Sequence, residues 1–491
     1  MTERLRSRDL ALLANDTART PMQNATLEIF DPGDHDPGAP ALTYEVLVEH
    51  IRDRVAFVPR YRQHLRRVPG RLANPIWVDD AAFDLGYHVR RSALPRPGSI
   101  DQLRELAARI MSRKLDPQRP MWEVYFIEGL EQGRVALLSK SHQVLVDGVS
   151  TVDLGQVLLD VDPGRRDLVP DDWTPHPEPT QTRLVASALT DSALHPRTAL
   201  GTIRSNVEAA SRSAGVVVGR AGTVAAALSN RLAAPESPFN FEPSRQRRLV
   251  LVRTSLRDYR RIRRVHGGTV NDVILATLTS ALRAWLMARA ETVSAGQRLR
   301  ALVPISVIDE DLEPTSLGSQ VVGHLVDLPI GEASPVIRLH QVSYALNGHR
   351  ATGRAVAADR IAGVAGFAPT TFHALGSRVA VEEATGGVNL VITNVPGPQF
   401  PMYLAGAEMV QTYPVPPLQP GFAMAVGVTS YNGGVYYGIT ADRDALPDID
   451  LLGQCVTEAL DELFDSASER RPRAPRGRKS KGSTGRPKGL D

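Results

Sequence analysis

One short stretch of the chain places several chemically active residues close together. His142, Gln143, Asp147 and Gly148 follow an apolar run that begins after Gly133. Histidine is the side chain best suited to accept a proton near neutral pH. Polar groups at the end of a buried strand cost free energy unless they are hydrogen-bonded or functional. This stretch is therefore the first candidate for an active site.

Two strands and two helices must position these residues. The run from Trp122 to Gly129 is rich in aromatic and β-branched residues, and the run from Arg134 to His142 follows it after a Glu-Gln-Gly turn. This pattern predicts two antiparallel strands, with a helix over 149–160 behind them. Ser99 and Gln102 have the spacing of a capping box and predict the start of another helix.

The spacing resembles the His-His-x-x-x-Asp-Gly signature of the bacterial wax ester synthase/diacylglycerol acyltransferase family, within the CoA-dependent acyltransferase superfamily. Here the signature reads His-Gln-Val-Leu-Val-Asp-Gly over 142–148, so Gln143 stands where the family has its general-base histidine. Other motifs occur in the family's order and extend the resemblance over most of residues 1–465. They are Pro120-Met-Trp122, Asn271-Asp272, Asn394-Val-Pro-Gly-Pro398 and Ser430-Tyr-Asn-Gly433.

The resemblance implies an α/β (α+β) fold with two chloramphenicol-acetyltransferase-like domains. Each domain has a mixed sheet with flanking helices, and an active-site tunnel lies between the two. The predicted segments are an N-terminal domain over 1–165, linker or connector helices over 166–246, a C-terminal domain over 247–465, and a basic disordered tail over 466–491.

The resemblance also assigns candidate site residues. The predicted catalytic set is His142, Gln143, Asp147 and Gly148, where Asp147 fixes the site and Gly148 permits a tight turn. The predicted substrate-binding set is Asn271, Asp272, Thr393 and Asn394. Two of these assignments compete with structural explanations. Asp272 also suits the cap of a helix that begins at Thr269, and the Pro396-Gly397-Pro398 turn also suits a plain structural turn.

Members of the family transfer an acyl group from acyl-CoA to diacylglycerol or to a long-chain alcohol. Acyl-CoA is a co-substrate, and the resemblance implies no bound cofactor and no metal. Gln143 cannot act as the base, because an amide does not accept a proton near pH 7. His142 should point away from the tunnel, because successive strand residues face opposite sides unless a bulge intervenes. The chain also departs from family patterns at Gln23, Ile308 and Ser319.

Three hypotheses follow from these departures. The first is an acyltransferase that makes triacylglycerol or wax ester, with His142 or water as a substitute base. The second is a degenerate homologue that binds acyl-CoA or lipid without turnover. The third is an acyltransferase of the same fold with another acceptor. We favour the first, because loss of a general base costs about 10²–10⁴ in rate and leaves the contribution of positioning.

Composition limits the other classes of function. Hydrophobic residues make up 42% and charged residues 23%, the formal net charge is +3, and Cys455 is the sole cysteine. The sequence therefore predicts a cytoplasmic protein without a disulfide framework, a secretory signal or a nucleic-acid partner. Residues 180–232 fit either a connector helix or an amphipathic segment on lipid, and the lack of large aromatics favours the connector. The basic tail leaves peripheral contact with a membrane or lipid droplet open.

Overall fold

The computed structural model describes residues 3–6, 9–33, 42–145, 154–164, 171–194, 237–308, 319–350, 373 and 387–468. Asp147, Gly148, the first five residues of the predicted helix over 149–160 and most of the basic tail lie outside these residues. Ile308 and Ser319 are described by their backbone only, as paired residues of two neighbouring strands.

Within the described residues, the first sheet has six strands in the order β11-β12-β1-β6-β5-β4. All neighbours are antiparallel except β4 and β5. The predicted pair before the signature forms β5 and β6, which supports the assignment of strands from aromatic and β-branched content. The strands are β1 (Gln23–Asp31), β4 (Val89–Ala93), β5 (Trp122–Glu128), β6 (Val135–His142), β11 (Tyr403–Leu404) and β12 (Ala407–Val415).

The second sheet has six described strands in the order β7-β14-β13-β10-β8-β9. Here β10 runs parallel to both β13 and β8, and the other neighbours are antiparallel. A separate pair, β2 (Gln63–Arg66) and β3 (Ile76–Asp79), lies outside both sheets. The six strands are β7 (Arg247–Ser255), β8 (Leu299–Ile308), β9 (Ser319–Leu328), β10 (Leu390–Pro396), β13 (Met424–Tyr431) and β14 (Gly434–Asp442).

Helices cover the sheets and bury their apolar faces. The capping box at Ser99 and the N-cap at Thr269 form as the sequence predicts, and each starts a helix at the next residue. The helices are α1 (Leu10–Asn15), α2 (Tyr44–Arg54), α3 (Leu85–His88), α4 (Ile100–Met111), α5 (Leu154–Leu158), α6 (Gln181–Leu194), α7 (Leu256–His266), α8 (Val270–Ala288), α9 (Pro335–Arg350) and α10 (Asp450–Ser468).

The C-terminal segment contributes to both sheets. Strand β12 pairs with β1 along seven residue pairs, from Ala25 with Val415 to Asp31 with Glu408. Two large core clusters lie under the sheets, and the first takes up Tyr431 and Tyr436 from the second sheet. The mixed α/β architecture is therefore confirmed. The residue bounds of the two domains stay a prediction, because strands distant in sequence share one sheet.

The described part of the predicted connector packs on the protein. Helix α6 buries Leu184 and Ala188 against Val68, Ile76 and Val78. This contact favours the connector interpretation for residues 181–194, and 195–236 lie outside the described residues. No helix among the described residues combines the length and apolarity that crossing a bilayer requires.

Candidate active site

Strand β6 ends at the two residues that carry the signature. The His142 backbone N–H donates to the Met121 carbonyl, and the Gln143 N–H donates to the Met22 carbonyl at 3.0 Å. A 3₁₀ turn begins at Gln143 and turns the chain out of the sheet. The backbone of both residues is therefore fixed by neighbouring strand ends, and both side chains are buried.

His142 faces the side of the first sheet that α4 covers. Its partner across β1 is Gln23, whose amide donates to the carbonyls of Met111 and Arg113 at the end of that helix. Lys140, two residues earlier on the same face, donates to the Arg113 carbonyl at 2.7 Å. The histidine therefore points away from the opposite face, as strand alternation predicts.

One nitrogen of the His142 ring accepts a hydrogen bond, and the other faces a carboxylate. Nδ1 accepts from the Val144 backbone N–H at 3.1 Å, so the neutral ring carries its proton on Nε2. Nε2 lies 3.6 Å from Asp16 Oδ2, which is too long for a hydrogen bond. Burial alone would raise the pKa of Asp16, but His142 and Lys114 together lower it below its ordinary value. This arrangement suits a structural imidazole that holds the turn.

Gln143 is a buried polar side chain without hydrogen bonds to its side-chain atoms among the described residues. It is 0% exposed, and neither Oε1 nor Nε2 has a hydrogen-bond partner among the described residues. An unpaired buried amide costs roughly 1–3 kcal/mol per missing partner. A substrate hydroxyl or carbonyl oxygen would remove that cost.

The predicted substrate-binding residues divide between two faces of the second sheet. Asn394 Nδ2 donates to Asn271 Oδ1 at 2.6 Å, which joins β10 to the first turn of α8. Thr393 precedes Asn394 on β10 and therefore faces the other way. Its hydroxyl lies 2.8 Å from His373 Nδ1. Both residues lie inside β10, two or three residues before its end.

Asp272 is fully occupied by structural bonds. Its carboxylate accepts from the Thr269 N–H at 2.9 Å, from the Thr269 hydroxyl at 2.8 Å and from the Ser343 hydroxyl at 2.6 Å. These bonds close the capping box of α8 and tie it to α9. The geometry therefore favours the capping role over direct substrate contact, and the substrate-binding role stays a prediction.

A cavity lies against the face of the first sheet opposite α4. Its polar lining includes Asn24, Ser139 and Ser141 from β1 and β6, and His373 from the C-terminal segment. Asn24 pairs with Ser141 across the two strands, so these groups form one continuous patch. The full lining is Asn24, Ala25, Thr26, Tyr61, Trp122, Val124, Ser139, Lys140, Ser141, Leu154, Gly155, His373, Val415 and Pro416.

A buried histidine and a basic run lie near the first sheet. His88 is 0% exposed and stacks on Trp122 with ring centroids 4.5 Å apart. Burial lowers its pKa, although its bond to the Trp122 carbonyl acts in the other direction. The basic run around β2 is largely ion-paired. Arg60 lies 2.6 Å from Glu3, and Arg66 lies 3.1 Å from Glu178.

The chain matches two family models. Residues 5–274 match the wax ester synthase/diacylglycerol acyltransferase catalytic domain, and residues 317–464 match the C-terminal domain of the same family. The chain belongs to the wax ester synthase/diacylglycerol acyltransferase family. The family resemblance drawn from the signature is therefore confirmed.

One relative in the family covers nearly the whole chain, and another covers about half of it. The probable diacylglycerol O-acyltransferase tgs1 of Mycobacterium tuberculosis is 32% identical over 443 residues, which cover 89% of this chain and 92% of the relative. The probable diacylglycerol O-acyltransferase tgs3 of the same species is 42% identical over 266 residues, or 54% of this chain and 96% of the relative.

Solved structures agree with the architecture. The wax ester synthase/diacylglycerol acyltransferase from Marinobacter aquaeolei superposes with a TM-score of 0.66 at 26% identity, covering 95% of this chain and all of that one. The first condensation domain of the calcium-dependent antibiotic synthetase reaches a TM-score of 0.54 at 15% identity, covering 96% of this chain and 97% of that one, and it shares the fold alone.

Family motifs did not reveal every polar group of the cavity. Asn24, Ser139 and Ser141 lie outside the family motifs. Ser139 and Ser141 are alternate residues of one strand and therefore share a face, which is visible in the sequence. His373 lies in a run without any motif, so no local signal could have identified it. Only the fold brings it to the cavity.

Proposed function

We propose that the protein transfers a fatty acyl group from acyl-CoA to a hydroxyl group of diacylglycerol or of a long-chain alcohol. The product is a triacylglycerol in the first case and a wax ester in the second. The observation that carries this proposal is family membership over both halves of the chain. The reaction needs only the two substrates, because the hydroxyl oxygen attacks the thioester directly.

The cavity supports this chemistry. It combines apolar walls from Val124, Leu154 and Val415 with the polar patch of Asn24 and Ser141. An acyl chain requires the first kind of surface, and a reacting hydroxyl or thioester oxygen requires the second. The cavity lies on β1 and β6, and β6 ends at His142, one residue before Gln143.

The predicted catalytic residues have distinct proposed roles. His142 holds the turn at the end of β6 through its Val144 bond. Gln143 supplies an uncharged donor or acceptor to a substrate oxygen, since its amide has no partner among the described residues. The family resemblance implies that Asp147 fixes the site and that Gly148 permits a tight turn. Asn271, Asp272, Thr393 and Asn394 shape the site from the second sheet.

A second candidate function is binding of acyl-CoA or lipid without turnover. The observation in its favour is Gln143, which cannot take a proton from the acceptor. The two candidates differ in one measurable result. An acyltransferase releases free CoA only when an acceptor alcohol is present, whereas a binding protein releases none.

The deciding experiment supplies purified protein with palmitoyl-CoA and either dioleoylglycerol or hexadecanol. Free thiol and ester product are both measured, and a reaction without acceptor corrects for thioester hydrolysis. Acceptor-dependent CoA release with matching ester supports acyl transfer. Acyl-CoA binding without ester formation, for every alcohol supplied, supports the binding protein. Ester formation with a different acceptor only would support the hypothesis of another acceptor.

We also propose that the protein meets its lipid acceptor at an anionic lipid surface. Helix α7 exposes five arginines, and none of them forms an ion pair with a carboxylate of the described residues. Exposed clusters of arginine bind anionic headgroups at about 1 kcal/mol per residue near the surface. The five are Arg257, Arg260, Arg261, Arg263 and Arg264.

Vesicle flotation tests this contact. We expect binding to vesicles that contain phosphatidylglycerol and weaker binding to pure phosphatidylcholine. Replacing Arg257, Arg260 and Arg264 with glutamine should reduce the binding several-fold without loss of folding. Replacing the ion-paired Arg91 instead provides a matched control. Equal binding by both variants would contradict a role for α7.

A further inference from the structure

Gln143 leaves the reaction without the proton acceptor that the family places at this position. The cavity nevertheless contains an imidazole, from His373. That side chain is 7% exposed and lines the cavity together with Asn24, Ser139 and Ser141. It comes from the C-terminal segment, whereas the polar patch comes from the first sheet. The cavity lining therefore joins a histidine and a polar patch that are more than 200 residues apart in the chain.

The cavity has polar groups that point to a ligand. Asn24 is 8% exposed, and neither its Oδ1 nor its Nδ2 has a hydrogen-bond partner among the described residues. The Ser139 hydroxyl is likewise buried without a partner there. Buried polar groups are normally satisfied, so these atoms mark the place of a polar ligand group. The acceptor's hydroxyl and the thioester carbonyl would together supply hydrogen-bond partners for the Asn24 amide and the Ser139 hydroxyl.

The neighbours of His373 set its tautomer. The Thr393 hydroxyl lies 3.4 Å from the Val426 carbonyl, which can only accept. With its proton directed there, the Thr393 oxygen is an acceptor for His373 Nδ1 at 2.8 Å. Nδ1 then carries the ring proton, and the lone pair of the neutral ring is on Nε2. This is the arrangement in which a partner orients a histidine that acts as a base.

We propose that His373 is the general base of this acyltransferase and that Thr393 is its positioning residue. The inference rests on the proposed acyl transfer and names the group that moves the proton. Within the described lining of the cavity, His373 is the one imidazole. His142 is excluded because its Nδ1 accepts from Val144 and its ring faces α4.

Each bond change in this step is balanced. The acceptor hydroxyl gives its proton to His373 Nε2 while its oxygen forms a bond to the thioester carbonyl carbon. The carbon–sulfur bond then breaks, and the imidazolium returns the proton to the CoA thiolate. The products are the ester and CoA with a free thiol, and no other reactant is needed.

Burial and the charge of the reaction intermediate act in opposite directions on the pKa of the His373 ring. Burial lowers the pKa of His373 to about 3, so the ring is neutral and in its accepting form at physiological pH. The tetrahedral intermediate then brings a negative oxygen into the same cavity. An opposite charge nearby favours the protonated imidazole, so the proton affinity of the ring rises as the proton arrives.

The test uses the full chain and palmitoyl-CoA with the alcohol that supports turnover. We expect His373→Gln to lower kcat by about 10²–10⁴ while acyl-CoA affinity stays within a few-fold. Thr393→Val should lower kcat, and Thr393→Ser should restore it. His50→Gln is the matched control, because His50 is also buried but does not line the cavity. Thermal unfolding verifies that each variant is folded.

Added imidazole separates a base from a structural side chain. It should restore part of the rate of His373→Ala and leave Thr393→Val unchanged. A folded His373→Gln with wild-type kcat would overturn this inference alone, since acyl transfer itself would stand. A wild-type protein that forms no ester with any alcohol would overturn the proposed function and this inference together.

Discussion

The Asn394 side chain donates to Asn271 across 2.6 Å and joins two family motifs that stand 123 residues apart in the chain. Asn271 lies in the first turn of α8, and Asn394 lies inside the central strand β10. The bond therefore sets the position of the helix start against the second sheet. Thr393, the preceding residue of β10, contacts His373 on the opposite face.

The first prediction concerns this pair of asparagines. We expect Asn271→Ala and Asn394→Ala each to lower kcat/KM, because either change lets α8 shift against β10. The loss of kcat/KM in the double variant, expressed as a free energy, should be smaller than the sum of the losses in the two single variants. The expected difference, which is the coupling energy, is about 0.5–3 kcal/mol. Steady-state kinetics on the four proteins of the cycle measures this coupling.

The matched control is a second asparagine pair on the same sheet. Asn389 donates to Asn240 at 2.7 Å, just before β10 begins. Its alanine variants should affect stability more than kcat/KM. Strict additivity at Asn271 and Asn394 would show that their bond has no influence on the reaction.

The second prediction concerns Asp272. Because its carboxylate accepts three hydrogen bonds at the start of α8, Asp272→Ala should lower the free energy of unfolding by about 1–3 kcal/mol. The KM for the acceptor should stay nearly unchanged in the folded variant. Denaturant unfolding and kinetics measure the two effects separately. A stable variant with a raised KM would instead indicate direct contact with substrate.

The third prediction concerns Gln143→His. The wild-type amide is fully buried and has no partner among the described residues, so the exchange breaks no described hydrogen bond. The new imidazole would supply a base at the position that the family uses. We expect kcat to rise at least about tenfold. Gln143→Asn is the control, because it keeps an amide, and it should show no such rise.

Much of the fold follows from local sequence signals. The capping box at Ser99 and the N-cap at Thr269 start their helices as predicted. The hairpin between β13 and β14 turns at Asn432 and Gly433, whose φ angles of 41° and 79° fit residues that tolerate the left-handed region. Each of these features depends on residues close together in the chain, so the sequence alone contains the needed information.

The candidate site is less predictable, because it depends on distant pairings. Nothing near Ala407–Val415 indicates that this strand joins the first sheet beside β1, some 380 residues earlier. His373 reaches the cavity only through such a long-range arrangement. The face of His142, by contrast, follows from strand alternation alone. The structure also gives it a partner, Asp16, that no motif indicates.

The fourth prediction concerns the pH dependence of stability at Asp16. Its pKa is lower in the folded protein than the ordinary value of 3.8, and His142 and Lys114 are the causes that lower it against burial. A carboxyl with a depressed folded pKa stabilises the protein above its unfolded pKa. That contribution is lost as the pH falls through the folded pKa.

Wild-type unfolding free energy should therefore fall below about pH 4, and Asp16→Asn should show a shallower fall in the same range. The difference in slope for one proton is at most about 1.4 kcal/mol per pH unit. At pH 7 the variant should be less stable, since Lys114 loses the carboxylate that lies 2.8 Å away. Asp101→Asn, at a mostly exposed carboxylate, is the control and should follow the wild-type slope more closely. Parallel slopes for wild type and Asp16→Asn would show that the His142–Asp16–Lys114 cluster does not contribute to acid stability.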